Sequence, residues 1–263
     1  MFYFSYPGNK RKEIKNLDNL LKNVKYTKIV EPFGGSCAFS ISEYLKNKDL
    51  EIYISDIDDE LTTFCNNFYK NDELIMNNVL NFVSNIHNKD DYKAFYKKHC
   101  YYKIVLSNPI DFCSYYLFKR TFFKLRPGLY YRNAKITLNS LKKNKDYLNE
   151  FFKKHTYNCI DYKTIFEKFK NDEEALLFLD PPYINSNCDF YYGLNRNSID
   201  MEELWESIYD LLENGKCKVI LIVNNNFFMR KVFEKWLYFS YEKKYGNHTS
   251  KKTIHNVFCN FGK

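Results

Sequence analysis

Asp180-Pro181-Pro182-Tyr183 puts a carboxylate, two ring-locked residues and a phenol in four consecutive positions. They follow Ala175-Leu176-Leu177-Phe178-Leu179, an apolar run of the kind that forms a buried parallel strand. In open α/β sheets ligands bind outside the carboxyl ends of such strands. Proline fixes φ and donates no backbone N–H, so the Pro181 carbonyl can be held as an acceptor. A carboxylate acceptor, a fixed carbonyl and an aromatic face together suit a planar base with an exocyclic amino group. In isolation the same four residues also fit a proline-rich turn that merely closes a strand.

Three further clusters carry chemistry. Lys28-Ile29-Val30-Glu31-Pro32-Phe33-Gly34-Gly35 reads as a short strand, a glycine turn and the start of a helix reaching about Tyr44. Strand, glycine turn and helix open a nucleotide-binding βα unit, because glycine allows close backbone approach and the helix start offers unpaired N–H groups. Glu51 to Asp56 reads as a second strand ending in an acid, 21 residues after Gly35. An acid about 20 residues past such a turn can accept from ribose hydroxyls. Asp56 could instead cap the helix over 57–69, a role open to Asp58 as well. Asp161-Tyr162 ends a third polar-flanked strand over 155–162, although Asp161 could also cap the helix that follows.

These clusters need a scaffold, and the chain of 263 residues is long enough for one α/β domain with a small insertion. Hydrophobic residues at 45% and charged residues at 27% are ordinary for a globular protein. Tyr and Phe number 24 each, much of which an A/T-rich coding bias explains. The net charge of +8 fits a polyanionic partner, and lysine-rich coding gives the same sign. Eight scattered cysteines without a C-x-x-C pair suggest neither zinc nor disulfides. No signal pattern or bilayer-length apolar run is visible, so a soluble intracellular protein without metal is expected.

The fold class expected is α/β, a Rossmann-like domain with a mostly parallel twisted sheet. Its parts are residues 1–69 and 155–263, with a helical insertion at 70–154. Helices are expected over 10–24, 73–87, 91–103, 109–123, 163–169, 201–212 and 226–236. A strand at 218–223 and an antiparallel hairpin over 237–245 and 255–261 close the sheet. Within the insertion, Phe118 to Lys135 reads as an irregular arm in which Arg120, Lys124, Arg126 and Arg132 interleave with aromatics. That mixture serves phosphate contact plus stacking, or simply a solvated basic face. The aromatic loop Phe190-Tyr191-Tyr192-Gly193 could close over a base, or be an ordinary loop.

In this order, the motifs resemble those of the Dam-like (D12 class) DNA adenine N6-methyltransferases, over nearly the whole chain. Tyr6-Pro7-Gly8-Asn9-Lys10 resembles the family's N-terminal aromatic, turn and lysine. Glu31-Pro32-Phe33-Gly34-Gly35 resembles its first cofactor motif, with Cys37 where many members carry another glycine. Lys119-Arg120-x-x-Phe123 resembles its Asn-Arg-x-x-Phe, and Asp180 to Tyr183 its D-P-P-Y signature. The resemblance implies S-adenosylmethionine as methyl donor. It implies that Tyr6, Lys10, Pro32, Phe33, Gly34, Gly35, Asp56, Asp161, Tyr162 and Asp180 hold it. Asp180, Pro181, Pro182 and Tyr183 would then act on an adenine extruded from double-stranded DNA. The insertion becomes the target-recognition domain, with Arg120, Lys124, Arg126 and Arg132 on DNA. Cytosine N4 methylation and a catalytically silent binder with the same fold are the alternatives. A restriction endonuclease sharing the site is an open partner, and oligomeric state and recognition sequence stay open.

Overall fold

Apolar runs and glycine turns dictate the elements of the chain in this computed structural model. It describes residues 3, 6, 10–11, 13–86, 90–91, 94, 108–123, 134–183, 199–244 and 252–262. After a 3-10 turn at Ile14–Asn16 come α1 (Asp18–Leu21), β1 (Lys28–Glu31), α2 (Ala38–Lys46) and β2 (Glu51–Ser55). Next are α3 (Asp59–Phe68), α4 (Asp72–Ser84), α5 (Pro109–Phe123), α6 (Ala134–Lys154) and the two-residue β3 (Tyr157–Asn158). The rest is α7 (Tyr162–Phe169), β4 (Ala175–Leu179), α8 (Met201–Asn214), β5 (Lys218–Asn224), α9 (Phe227–Val232), β6 (Leu237–Lys244) and β7 (Lys252–Cys259). The chain divides into two compact units, Met1–Arg11 with Asp58–Cys159 and Lys12–Ile57 with Ile160–Lys263.

The second unit is α/β. Among its described residues six strands stand in the order β2-β1-β4-β5-β7-β6. Pairs β1–β2, β1–β4 and β4–β5 are parallel, while β7 runs antiparallel between β5 and β6. This is the mostly parallel, Rossmann-like sheet expected from the sequence. All five residues of β4 are buried, as a central strand covered on both faces requires. The core on one side joins Val30, Leu177, Leu179, Val219 and Leu221 to Phe166, Phe169, Ile208 and Phe233. On α2, Phe39 stacks on Phe178 of β4 with centroids 4.2 Å apart. That contact locks the helix after the glycine turn to the strand that carries Asp180.

The first unit is helical apart from β3 among its described residues. Tyr3 is fully buried against Phe64, Phe68 and Phe152, and its hydroxyl donates to Asn149 Oδ1 at 3.0 Å. Phe64 of α3 meets Tyr116 of α5, and Phe82 of α4 meets Phe118. Lys145 of α6 pairs with Asp72 at the start of α4 at 2.6 Å.

Several boundaries differ from the sequence reading. The helix expected over 10–24 is a 3-10 turn followed by the four-residue α1. Its apolar spacing at Ile14, Leu17 and Leu20 is i, i+3, which 3-10 geometry satisfies as well as an α-helix. The expected arm begins inside α5, so Phe118 to Phe123 are helical. The third strand shrinks to β3, and Asp161 caps α7, which starts at Tyr162. The helix expected over 226–236 splits into α9 and a 3-10 turn at Glu234–Trp236. Most of the helix expected over 91–103 and the loop 190–193 lie outside the described residues.

Among the described residues, no helix is long and apolar enough to cross a membrane. No group of three or more His, Cys, Asp or Glu there could hold a metal ion. Cys37, Cys65, Cys113, Cys217 and Cys259 are buried. Burial pushes the Cys113 thiol up to about 12 and that of Cys217 to about 11, so both act as small apolar fillers.

Candidate active site

Parallel pairing brings the carboxyl ends of β1, β2 and β4 to one edge of the α/β unit. The chain passes from β1 to β2 on one side, while β4 pairs on the other side of β1. The crevice of such a sheet therefore lies between β1 and β4. Pro32-Phe33 leaves the first of these strands and Asp180-Pro181 the second.

The glycine turn is tied to the end of β2. Gly34 N–H donates to Ser55 O at 2.8 Å, and Gly35 N–H to Asp56 Oδ2 at 2.9 Å. Gly35 has φ +47°, a left-handed conformation that glycine adopts without penalty. Cys37 has φ +49°, at the N-cap of α2. This left-handed conformation costs a cysteine about 1–2 kcal/mol. Glu31 steadies the far side of the turn. Its Oε2 accepts from Ser40 N–H at 3.1 Å and from Ser40 Oγ at 2.5 Å, supplying a carboxylate to the first turn of α2.

Asp58, not Asp56, caps α3, accepting from Leu61 N–H at 2.9 Å. Asp56 is thereby available to the turn and to a pocket. That pocket is lined by Pro32, Phe33, Asp56, Ile57, Asp161, Tyr162 and Pro182, together with Ile160 and Ile199. The Phe33 and Tyr162 rings lie 5.7 Å apart at 31°. Asp161 is both the N-cap of α7, accepting from Lys163 N–H at 2.8 Å, and part of the pocket wall. An acid among flat and aliphatic walls has the chemistry to receive a nucleoside: hydroxyls at the acid, a ring between the apolar faces.

Asp180 is half-buried at the end of β4, and Pro181 is buried beside it. The Tyr183 hydroxyl donates to Asp180 Oδ1 at 3.1 Å. The same hydroxyl lies 3.5 Å from Nδ1 of His255, a fully buried residue of β7. The Tyr183 and His255 rings meet edge to face, 5.6 Å apart at 85°.

Six of the residues singled out from sequence, Pro32, Phe33, Asp56, Asp161, Tyr162 and Pro182, therefore meet in one pocket. Gly34 and Gly35 form the turn that follows Phe33, tied to Ser55 and Asp56. Tyr6, half-buried, and Lys10, buried, belong to the helical unit. Lys124, Arg126 and Arg132 lie outside the described residues. Arg120 occupies an unexpected place. Its guanidinium is 3.2 Å from Asp58 Oδ2 and 5.0 Å from the centre of the Tyr116 ring, with side-chain exposures of 15% for Arg120 and 5% for Asp58. Lys119 beside it pairs with Glu60 at 3.1 Å.

Sequence reasoning gave Glu31 a place in the first cofactor motif but no role of its own, and passed over His255. Glu31 had a local signal, an acid closing a strand just before a glycine turn and helix. His255 had none, because only the pairing of β7 with β5 brings it to this edge.

A family model described as D12 class N6 adenine-specific DNA methyltransferase matches residues 6–253 of the chain. No curated protein matches it.

Proposed function

The chain belongs to the D12 class of N6 adenine-specific DNA methyltransferases and methylates adenine in DNA, and from that premise we propose how its residues divide the work. Members of this family generally use S-adenosylmethionine, which when bound supplies a methyl group on a positively charged sulfur. Asp56 receives the ribose hydroxyls, and Phe33, Tyr162 and Pro182 enclose the adenine ring, with Asp161 at its polar edge. The Gly34-Gly35 turn lets backbone approach the ligand. Tyr6 and Lys10 keep the cofactor contacts that the resemblance of their motif implies. Asp56→Ala should raise the dissociation constant for S-adenosylmethionine about 10- to 100-fold. The change removes a charged acceptor and the latch on Gly35, at about 1.5–3 kcal/mol. Titration calorimetry measures it, and an unchanged constant refutes the ribose assignment.

At the reacting end, the N6 lone pair of adenine is delocalised into the ring and is a poor nucleophile. Asp180 accepts one N6–H and the Pro181 carbonyl the other. These bonds favour a pyramidal nitrogen with its lone pair released for attack. Asp180 also stabilises the positive charge that forms on nitrogen, by position rather than by strong basicity. The observation that carries this reading is the placement of Asp180 at the carboxyl end of β4, beside the crevice, with its Oδ1 held by Tyr183.

N6 in a duplex is paired and stacked, so the base must leave the helix to meet Asp180. Tyr183 offers the face on which it stacks. With 2-aminopurine at the target, fluorescence should rise on binding. Tyr183→Ala should lower both that rise and the methylation rate, by the roughly 1–3 kcal/mol of one aromatic–base contact. Undiminished signal and rate in Tyr183→Ala would remove Tyr183 from base stacking. In the insertion, Lys124, Arg126 and Arg132 are assigned to phosphates, and Arg120 shares that assignment only if it can leave Asp58.

A further inference from the structure

We propose that His255 is a positioning residue for catalysis, orienting the Asp180 carboxylate through the Tyr183 hydroxyl. The proposal deepens the reading of Asp180 as acceptor of an amino hydrogen and rests on it.

The geometry is a short relay across three elements. Asp180 ends β4, Tyr183 follows it, and His255 stands on β7 opposite Asn224 of β5 and Tyr241 of β6. The Tyr183 oxygen lies 3.1 Å from Asp180 Oδ1 and 3.5 Å from His255 Nδ1. A phenol carries one proton, and an ionised carboxylate can only accept. If the hydroxyl proton points to Asp180, the oxygen can meet His255 only as an acceptor, so Nδ1 must carry hydrogen. If Nδ1 lacks hydrogen, it is a second acceptor that competes with Asp180 Oδ1 for the same phenol proton. The tautomer of His255 thus sets whether it supports or competes with the bond from Tyr183 to Asp180.

That choice matters for the reaction. With Oδ1 held by Tyr183, rotation of the carboxylate about its Cβ–Cγ bond is restrained, and its remaining lone pairs keep one direction for N6–H. His255 is fully buried and edge-on to the Tyr183 ring, so the ring faces are fixed as well. Among its neighbours across the strands, Tyr241 has its ring centre 5.5 Å away. The effect expected is on the methyl-transfer step and not on the affinity for either ligand.

The test is a double-mutant cycle of His255→Leu and Tyr183→Phe, with His255→Asn as the conservative variant, since an asparagine amide can place an N–H near the Nδ1 position. Single-turnover transfer on duplex DNA is measured beside the dissociation constants of S-adenosylmethionine and DNA. His255→Leu should slow transfer about tenfold, the rate equivalent of one well-placed hydrogen bond. Both dissociation constants should stay within about threefold. His255→Asn should recover most of the rate, and His255→Leu should add little in the Tyr183→Phe background. Additive losses, or an asparagine variant no better than leucine, overturn the proposal. Should His255→Leu fail to fold, Tyr183→Phe, which removes the hydroxyl that joins the two groups, carries the test, and transfer at the unchanged rate there is equally fatal. Full activity in Asp180→Ala would instead overturn the underlying reading of Asp180, which this cycle leaves untouched.

Discussion

Asp180→Ala should slow methyl transfer by at least about a thousandfold while S-adenosylmethionine still binds measurably. The magnitude follows from the number of jobs that one carboxylate holds. It accepts an amino hydrogen, fixes the orientation of the nitrogen and faces the charge that forms during transfer. Removing one oriented electrostatic partner of a transition state typically costs about 10²–10³ in rate. Here the loss of orientation is added to it. The pocket residues Phe33, Asp56, Tyr162 and Pro182 are untouched by the change, so ligand affinity has its own support. A radiolabelled transfer assay at single turnover gives the rate, and calorimetry gives the affinity. Full activity in the variant would dismiss the mechanism. Complete loss of binding would show that Asp180 also anchors the donor's methionine end.

Arg120→Ala should lower the stability of the protein by about 3 kcal/mol, the lower part of the range for breaking a buried ion pair. The substitution strands Asp58, which is nearly buried and already commits its Oδ1 to the start of α3. It also strips the guanidinium from the face of Tyr116. A urea midpoint shifted at constant m-value would report the loss. The competing expectation is distinct in kind. A residue that only meets phosphate would leave the midpoint in place and reduce the salt dependence of DNA binding by about one unit of log–log slope. That second pattern would return Arg120 to the DNA surface.

The contrast between these two residues shows what the sequence made legible. Asp180 sits in a run whose local chemistry is self-contained: a buried strand, a stop and an acid. Its place follows from patterns within about ten residues. The glycine turn and the acid at Asp56 are equally local. Asp58 also took the cap that sequence left open between it and Asp56, because α3 starts one residue after Asp58. Arg120 shows the limit. A basic side chain among aromatics looks the same whether it faces solvent or a buried acid 62 positions away. The helix α5 turns it toward Asp58, and nothing in residues 118–135 announces that. His255 is the same problem in a strand, where function depends on which partner lies alongside.

The strand β7 also has a consequence in time. It lies between β5 and β6, yet it is the last strand of the sheet to leave the ribosome. Until it pairs, β5 presents Val219 to Val223, five residues buried in the finished protein, as a bare strand edge. Such an edge is a template for pairing with other chains. Nascent protein therefore passes through an interval in which β6 has been made but the slot of β7 beside β5 is empty. The sheet edge and the residue behind Tyr183 are completed in the same event. Chains stalled before residue 252 should accordingly be captured by chaperones or aggregate, and any that remain dispersed should lack the His255 contact altogether.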